Sequence, residues 1–289
     1  MTAYLNGQFL PLDEAKISPL DRGFLFGDGA YEVIPVYSRR PFRIDEHLRR
    51  LQQTLDGIRL PNPHTLEQWR ALVERIVQEG DADDLSVYIQ VTRGADNKRD
   101  QAFPIGVAPT TFIFSAPLIT PTAAQRETGI AVISALDNRW LRCDLKTVAL
   151  LANVLLRQQA IDAGCVETIM LREGFLTEGA ASNIFVVKDG VLLAPPKDHR
   201  MLAGITYDVV LELAAKHGMA YEVREIADAE LRVADELWMT SSTKEVLPIT
   251  TLDGQPVGDG KPGPAARQMY AWYCAFRDEV MRKADAPFA

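Results

Sequence analysis

Five features of this chain set reactive residue types where they have chemistry to do. The first is Lys146, in the stretch Arg139-Trp140-Leu141-Arg142-Cys143-Asp144-Leu145-Lys146-Thr147. An apolar run over 129–136 precedes it and reads as a buried strand. Residues 148–160 follow, with good helix formers and apolar residues at helical spacing, and read as a helix that stops near Gly164. Lys146 is therefore expected at or just before a helix start. There the positive end of the helix dipole, together with apolar Leu145 and Val148, destabilises an ammonium. The neutral amine is the nucleophile; the alternative is a surface lysine with its head in water. The second feature is Glu178, in Glu178-Gly179-Ala180-Ala181-Ser182-Asn183 between two expected strands. Its small neighbours admit close packing; alternatively it is a turn carboxylate bonded to backbone amides. The third is Arg50, beside the apolar stripe of an expected helix, or else a solvated helix charge. The fourth is Thr206, after Gly204-Ile205 at a helix start, where free N–H groups, a hydroxyl and the dipole favour an anion; a plain threonine cap is the alternative. The fifth is Ser241-Ser242-Thr243, a second hydroxyl-rich strand end. Together they suit pyridoxal 5′-phosphate: a lysine for the Schiff base, a carboxylate for the pyridine nitrogen, and an arginine, hydroxyls and a helix N-terminus for the phosphate.

The elements that must position these residues are readable in outline. Tyr4-Leu5-Asn6-Gly7-Gln8-Phe9-Leu10 is a hairpin turning at Asn-Gly. Gly23, Gly27 and Gly29 mark a backbone that bends sharply or approaches something closely. They are no dinucleotide loop, because the third glycine of that motif falls at Glu32. A strand follows over 33–37, and Asp45 is expected to cap a helix to about Ile58, with Leu48, Leu51 and Leu55 inward. Thr65-Leu66-Glu67-Gln68 is a capping box for a helix ended by Gly80. Strands over 85–92 and 110–115 flank a long loop carrying Arg93, Lys98, Arg99 and Asp100, either a solvated charge run or a binding loop. Pro117-Leu118-Ile119-Thr120-Pro121 is the best boundary, giving an N-terminal domain over 1–117, a linker over 118–121 and a second domain over 122–289. In the second half, strands are expected over 166–171, 175–177, 184–187, 191–193 and 237–240. Helices are expected over 207–217 and from Pro264 to about Arg282.

Composition narrows the class. The 289 residues are 47% hydrophobic and 24% charged, as in an ordered globular protein, and the net charge of −8 disfavours nucleic acid as the main partner. No secretion signal is read at Met1-Thr2-Ala3-Tyr4, and the most apolar run, 148–156, is too short to span a bilayer. Cys143, Cys165 and Cys274 form no C-x-x-C pair, and four scattered histidines make no metal cluster, so a cytoplasmic protein without a metal site is expected.

The motifs in their order resemble the fold-type IV (class IV) pyridoxal-phosphate aminotransferases, and within them the bacterial D-amino acid branch. The resemblance runs along nearly the whole chain. It is carried by residues 23–33, Glu46-His47-Leu48-Arg49-Arg50-Leu51, the Arg139–Lys146 stretch, Thr177-Glu178-Gly179 with Ser182-Asn183, Gly204-Ile205-Thr206, and Thr240-Ser241-Ser242-Thr243. It implies an α/β fold of α+β character in two domains. The N-terminal α/β domain is the smaller, the C-terminal domain holds a mixed sheet or pseudo-barrel, and the cofactor lies between them. It also implies transamination of D-amino acids such as D-alanine and D-glutamate with a 2-oxo acid acceptor. Lys146 is then the Schiff-base lysine and the base, and Glu178 binds the pyridinium. Arg50, Gly204, Ile205, Thr206, Ser241 and Ser242 hold the phosphate end, and Leu202 packs under the ring. Tyr31 and Val33 face the substrate, and Arg99 and Gln101 come from the 93–104 loop of the partner in a homodimer with shared sites. The family's histidine in that loop is replaced by the uncharged Gln101, the loop is one residue longer, and Lys98 is a possible substitute. Ala180-Ala181 stand where serines are usual in the D-amino acid branch. These departures keep open an aminodeoxychorismate lyase, an (R)-amine transaminase and a branched-chain aminotransferase on the same fold. A non-catalytic protein binding a phosphorylated small molecule is the reading from another class.

Overall fold

A computed structural model describes residues 1–282, which divide into two compact units. The first comprises Met1–Leu118, Leu145–Leu150 and a short piece beginning at Glu279; the second comprises Ile119–Asp144 and Leu151–Asp278.

The first unit is built on an antiparallel six-stranded sheet. Its strands are β1 (Thr2–Leu5), β2 (Gln8–Pro11), β3 (Gly29–Tyr37), β4 (Arg40–Pro41), β5 (Leu85–Thr92) and β6 (Thr110–Pro117), in the order β2-β1-β6-β5-β3-β4. Its helices are α1 (Arg22–Phe26), α2 (Ile44–Gly57) and α3 (Leu66–Gln78). Strand alternation decides which face is buried. Ala30, Ile34 and Val36 of β3 and Leu85, Val87, Ile89 and Val91 of β5 point to the core, where Leu48, Leu51 and Leu55 of α2 and Trp69, Val73 and Ile76 of α3 cover them. Burying one such leucine is worth about 1.5–3 kcal/mol, so the α2 stripe fixes that helix on the sheet. Register places Val33 opposite Tyr88 and Tyr31 opposite Gln90 on the other face.

Two local expectations change and one is met. The strand begins at Gly29, so Tyr31 lies inside it, and the glycine segment before it is the single turn α1, capped by Asp21. Helix α2 is entered through Arg43 in the left-handed region (φ 51°), and no side chain caps it; Asp45 sits within its first turn and pairs with Arg70. The capping box at Thr65 forms with Gln68.

The second unit holds a curled, mixed nine-stranded sheet. In chain order its elements are α4 (Ala123–Thr128), β7 (Ile130–Leu136), α5 (Leu151–Asp162), β8 (Glu167–Arg172), β9 (Phe175–Gly179), β10 (Asn183–Lys188) and β11 (Val191–Ala194). There follow α6 (Ile205–His217), β12 (Tyr221–Val223), α7 (Asp228–Arg232), β13 (Glu236–Ser241), β14 (Glu245–Leu252), β15 (Gln255–Pro256) and α8 (Pro264–Arg277). The sheet order is β12-β11-β10-β13-β14-β7-β8-β9, with β15 beside β14; β7 is parallel to both β14 and β8. Ile130, Val132, Ile184, Val186, Leu237, Met239 and Ile249 are buried in its core. On the other side Phe185 stacks on Tyr207 of α6 with ring centroids 5.0 Å apart.

The helix expected from residue 148 starts at Leu151. Residues before it are captured by strand pairing instead. The Lys146 carbonyl accepts from Tyr31 N at 3.0 Å, Val148 N donates to the Gly29 carbonyl at 3.0 Å, and Thr147 bridges Ala30. Backbone groups bonded to a strand edge are not available to a helix.

Candidate active site

In the first unit, Lys146 is held by its backbone hydrogen bonds. Besides the bond from Tyr31, its own N–H donates to Thr54 Oγ1 of α2 at 3.1 Å. Two glycines keep the backbones close here, Gly27 against the docked segment and Gly29 against the neighbouring strand β5. Gly27 has φ 66°, and a Cβ there would stand 3.1 Å from Ala149 Cα; a Cβ on Gly29 would stand 2.6 Å from the Val91 carbonyl. The amine lies over the Tyr31 ring, 4.1 Å from its centroid, where the negative face of the aromatic attracts a cation. Lys146 thus lies five residues before α5, and the dipole of that helix does not act on it: such fields fade beyond the first turn. Tyr31 in turn stacks on Tyr88 at 5.8 Å, with Val33 on the same strand face.

The core-facing side of the same strand carries a charge. Glu32, fully buried, accepts from Arg50 Nε at 2.7 Å and Nη2 at 2.8 Å, and shares a 2.8 Å bond with His47 Nδ1. Burial pushes the Glu32 carboxyl up, but the Arg50 guanidinium and the His47 ring outweigh it and hold it far below the usual carboxylate range. Burial holds His47 below its ordinary value. Arg50 is therefore locked in place by a carboxylate that the sequence analysis did not single out. The signal was present: Glu32 occupies a core phase of an alternating strand, and a charge there requires a partner.

Arg99 and Gln101 lie on the loop between β5 and β6. Arg22 donates to the Asp100 carbonyl at 2.5 Å and the Gln101 carbonyl at 3.1 Å, and pairs with Asp28 at 2.8 Å. Arg93 pairs with the same Asp28 and stacks on Phe103 at 3.8 Å. Arg99 lies over Phe26 at 5.2 Å, and Lys98, largely exposed, pairs with Asp100 at 3.2 Å.

In the second unit, Glu178 ends β9 and is buried. It accepts from Arg139 Nη1, from Leu202 N at 3.2 Å and from Asn183 Nδ2 at 3.3 Å. Burial pushes its carboxyl up to about 7, with Arg139 pulling the other way. Asn183 begins β10 and also donates to the Leu202 carbonyl at 2.9 Å, tying the segment before α6 to Glu178. Gly204 is the N-cap of α6, with no side-chain cap; a Cβ on it would stand 2.1 Å from Asn183 Oδ1. The first turn, Ile205 and Thr206, is buried. Asn183 pairs across the strands with Thr240, which brings Ser241 and Ser242 to the same end of the sheet. Ser241 Oγ accepts from Lys244 N at 3.1 Å, and the buried Thr240 hydroxyl has no hydrogen-bond partner among the described residues. The structure therefore gathers Glu178, Leu202, Gly204 and Asn183 in the second unit, and Lys146, Tyr31 and Val33 on one strand face in the first.

A sequence profile of the family described as amino-transferase class IV matches residues 29–252. The chain belongs to the class IV aminotransferases. These are pyridoxal 5′-phosphate enzymes, and the residues present fit that cofactor. A helix start without a side-chain cap could leave amides for a phosphate, the buried carboxylate of Glu178 could face a ring nitrogen, and Lys146 offers an amine on a backbone held by hydrogen bonds. The chain is 36% identical over 269 residues to a D-alanine aminotransferase of Bacillus licheniformis, covering 93% of this chain and 94% of the relative. It is 37% identical over 267 residues to one of Staphylococcus epidermidis, covering 92% and 94%. Among solved structures it superposes on the branched-chain amino acid aminotransferase of Escherichia coli with a TM-score of 0.86 at 26% identity, covering 93% of this chain and 92% of that one. The branched-chain aminotransferase of the archaeon Thermoproteus uzoniensis with norvaline gives 0.84 at 26%, covering 99% and 96%. Among the described residues, no group of three potential metal ligands occurs, and no helix is long and apolar enough to cross a membrane.

Proposed function

We propose that this aminotransferase moves the amino group of D-amino acids, D-alanine and D-glutamate foremost, to 2-oxo acids. The observation that carries the reading is the Lys146 amine over the Tyr31 ring, in a chain whose relatives over more than nine-tenths of its length are D-alanine aminotransferases. Bound pyridoxal phosphate supplies the electron sink for the carbanion at the substrate Cα. Lys146 Nζ would be the amine that holds the cofactor, and the base placed for the substrate Cα proton. Arg50, the amides of Ile205 and Thr206, and the hydroxyls of Thr206, Ser241 and Ser242 bind the phosphate; Gly204 leaves it room. Glu178 would face the pyridine nitrogen and favour its protonated form, and Leu202 would flank the ring. Tyr31 and Val33 face the substrate.

The same reading makes the enzyme a homodimer with shared sites, in which Arg99 and Gln101 of the partner subunit bind the substrate carboxylate. In its favour, Leu151, Val154 and Leu155 of α5 and nearby-in-sequence Trp140 and Leu141 expose large apolar side chains, the kind of surface a second copy covers. The three cysteines are free, which suits a reducing cytoplasm.

A second reading, branched-chain amino acid transamination, is favoured by the two solved structures above and by the uncharged Gln101. One experiment separates them. The yellow holoenzyme is mixed in turn with D-alanine, L-leucine and (R)-1-phenylethylamine while its visible absorbance is followed. Rapid bleaching by D-alanine with release of pyruvate is expected. Faster bleaching by L-leucine overturns the D-amino acid reading in favour of the second.

A further inference from the structure

The two oxygens of Glu178 are loaded unequally. Oε1 takes the Arg139 Nη1 bond and the Leu202 N–H at 3.2 Å. Among the described residues, Oε2 takes one long bond, 3.3 Å from Asn183 Nδ2, a group whose shorter bond goes to the Leu202 carbonyl at 2.9 Å. Arg139 has no freedom to change sides. Its Nε and Nη2 form a fork on Asp137 at 2.9 Å each, and Nη2 also donates to the Arg200 carbonyl at 3.1 Å. Asp137 is itself fixed, by Arg172 at 3.0 Å, by the Thr177 hydroxyl at 3.0 Å and by the Arg139 amide at 3.1 Å. The side chains of Asp137, Arg139 and Glu178 are all at most 7% exposed. Two guanidinium groups thus face two carboxylates in a buried row, balanced in charge only while Glu178 is ionised.

We propose that Arg139, clamped by Asp137, is a positioning residue that occupies Glu178 Oε1 and so dedicates Oε2 to the pyridine nitrogen of the cofactor. This rests on the reading that Glu178 pairs with that nitrogen. A fork-shaped guanidinium is needed: one arm holds Glu178 while the remaining two donors hold Asp137, a division that a lysine's single ammonium cannot reproduce. The cation also limits how tightly Glu178 keeps a proton, and therefore where the proton shared with the ring nitrogen resides.

The test begins on the apoprotein. The side-chain carboxyl carbons of glutamate are labelled with carbon-13, Glu178 is assigned by difference from Glu178→Gln, and its resonance is titrated. Arg139→Gln is expected to move the Glu178 titration upward by about one to three pH units, the usual effect of removing a neighbouring opposite charge. Arg139→Lys keeps the charge, so the titration stays near that of the wild type, but cofactor binding weakens because Oε1 is no longer pinned. Asp137→Asn weakens cofactor binding in the same way, and keeps the test alive if Arg139→Gln does not fold. In the holoenzyme, the pH midpoint of the visible band is expected to move in Arg139→Gln and to stay put when the same change is made in a Glu178→Gln background. An unchanged Glu178 titration in Arg139→Gln overturns the proposal, as does full cofactor affinity in Arg139→Lys. Wild-type cofactor affinity and spectrum in Glu178→Gln, with the apoprotein titration still shifted in Arg139→Gln, overturns it differently: the coupling is real but the pyridine-nitrogen reading fails.

Discussion

Replacing Glu178 by glutamine should change how the stability of the apoprotein depends on pH. The carboxyl is pushed up to about 7 in the folded protein by burial, against an ordinary value of 4.5. The folded chain therefore keeps a proton that the unfolded chain has already released. The sign follows: the stabilisation is complete below pH 4.5 and is lost as the pH rises through 7. The separation of about 2.5, at about 1.4 kcal/mol for each, amounts to about 3 kcal/mol. Glutamine has the same shape and no titration. Other groups contribute alike to both proteins and cancel in the difference, provided they do not touch position 178. Urea denaturation of the two apoproteins at steps from pH 4.5 to pH 8 is the assay. The wild type should lose about 3 kcal/mol relative to Glu178→Gln across that interval, spread over the range between pH 4.5 and pH 7 and levelling off above it. A difference that is constant with pH would mean that Glu178 keeps no more of its proton folded than unfolded, and the desolvation argument would be refuted.

Three further outcomes are expected. Glu32→Gln leaves Arg50 and His47 facing each other at 3.5 Å without their shared carboxylate; it should cost about 3–5 kcal/mol by urea denaturation, and weaken cofactor binding measured by titration of the apoprotein. Because Arg50 and His47 hold Glu32 low against the opposing effect of burial, its stabilisation is present above the ordinary carboxylate range and is lost only as the pH falls well below it. Gly204→Ala places a methyl group 2.1 Å from Asn183 Oδ1 and forces a shift at the start of α6; cofactor affinity should fall by about tenfold or more, the equivalent of about 1–3 kcal/mol of overpacking, read by the same titration. Lys146→Ala and Arg99→Ala are each expected to be inactive alone, yet random subunit mixing should restore about a quarter of wild-type activity, since half the dimers are hybrid and each hybrid has one intact shared site; no recovery would show that Arg99 serves its own subunit.

What the sequence made legible was local. The strand over 85–92, the Asn6-Gly7 hairpin and the Thr65 capping box appear as read, because each is decided by neighbours within a few residues. The setting of Lys146 was not legible. Its helix-like continuation is overridden by pairing with Gly29 and Tyr31, well over a hundred residues earlier, and periodicity carries no information about so distant a strand. Arg43 replaces Asp45 as the entry to α2 for a similar reason: Asp45 is drawn to Arg70 on another helix. Glu178 was found by its small neighbours, whereas Arg139 was quoted only as part of a motif, its partner lying 39 residues away. Glu32 could have been found: a glutamate between Ala30 and Ile34 on the buried phase of a strand demands a cation.

The first unit draws its chain from three separated places. A ribosome that has released only Met1–Leu118 has made all six strands of the first sheet, yet none of the segment that carries the amine. At about 5–20 residues per second, Leu145–Leu150 emerges roughly two to six seconds later, and Arg282, which pairs with Asp84 at 2.6 Å, later still. The nascent sheet must therefore wait with the edge at Gly29 and Tyr31 unpaired. The segment with Lys146 is thus a late addition to this unit, and a chain interrupted before residue 145 carries the six strands without it.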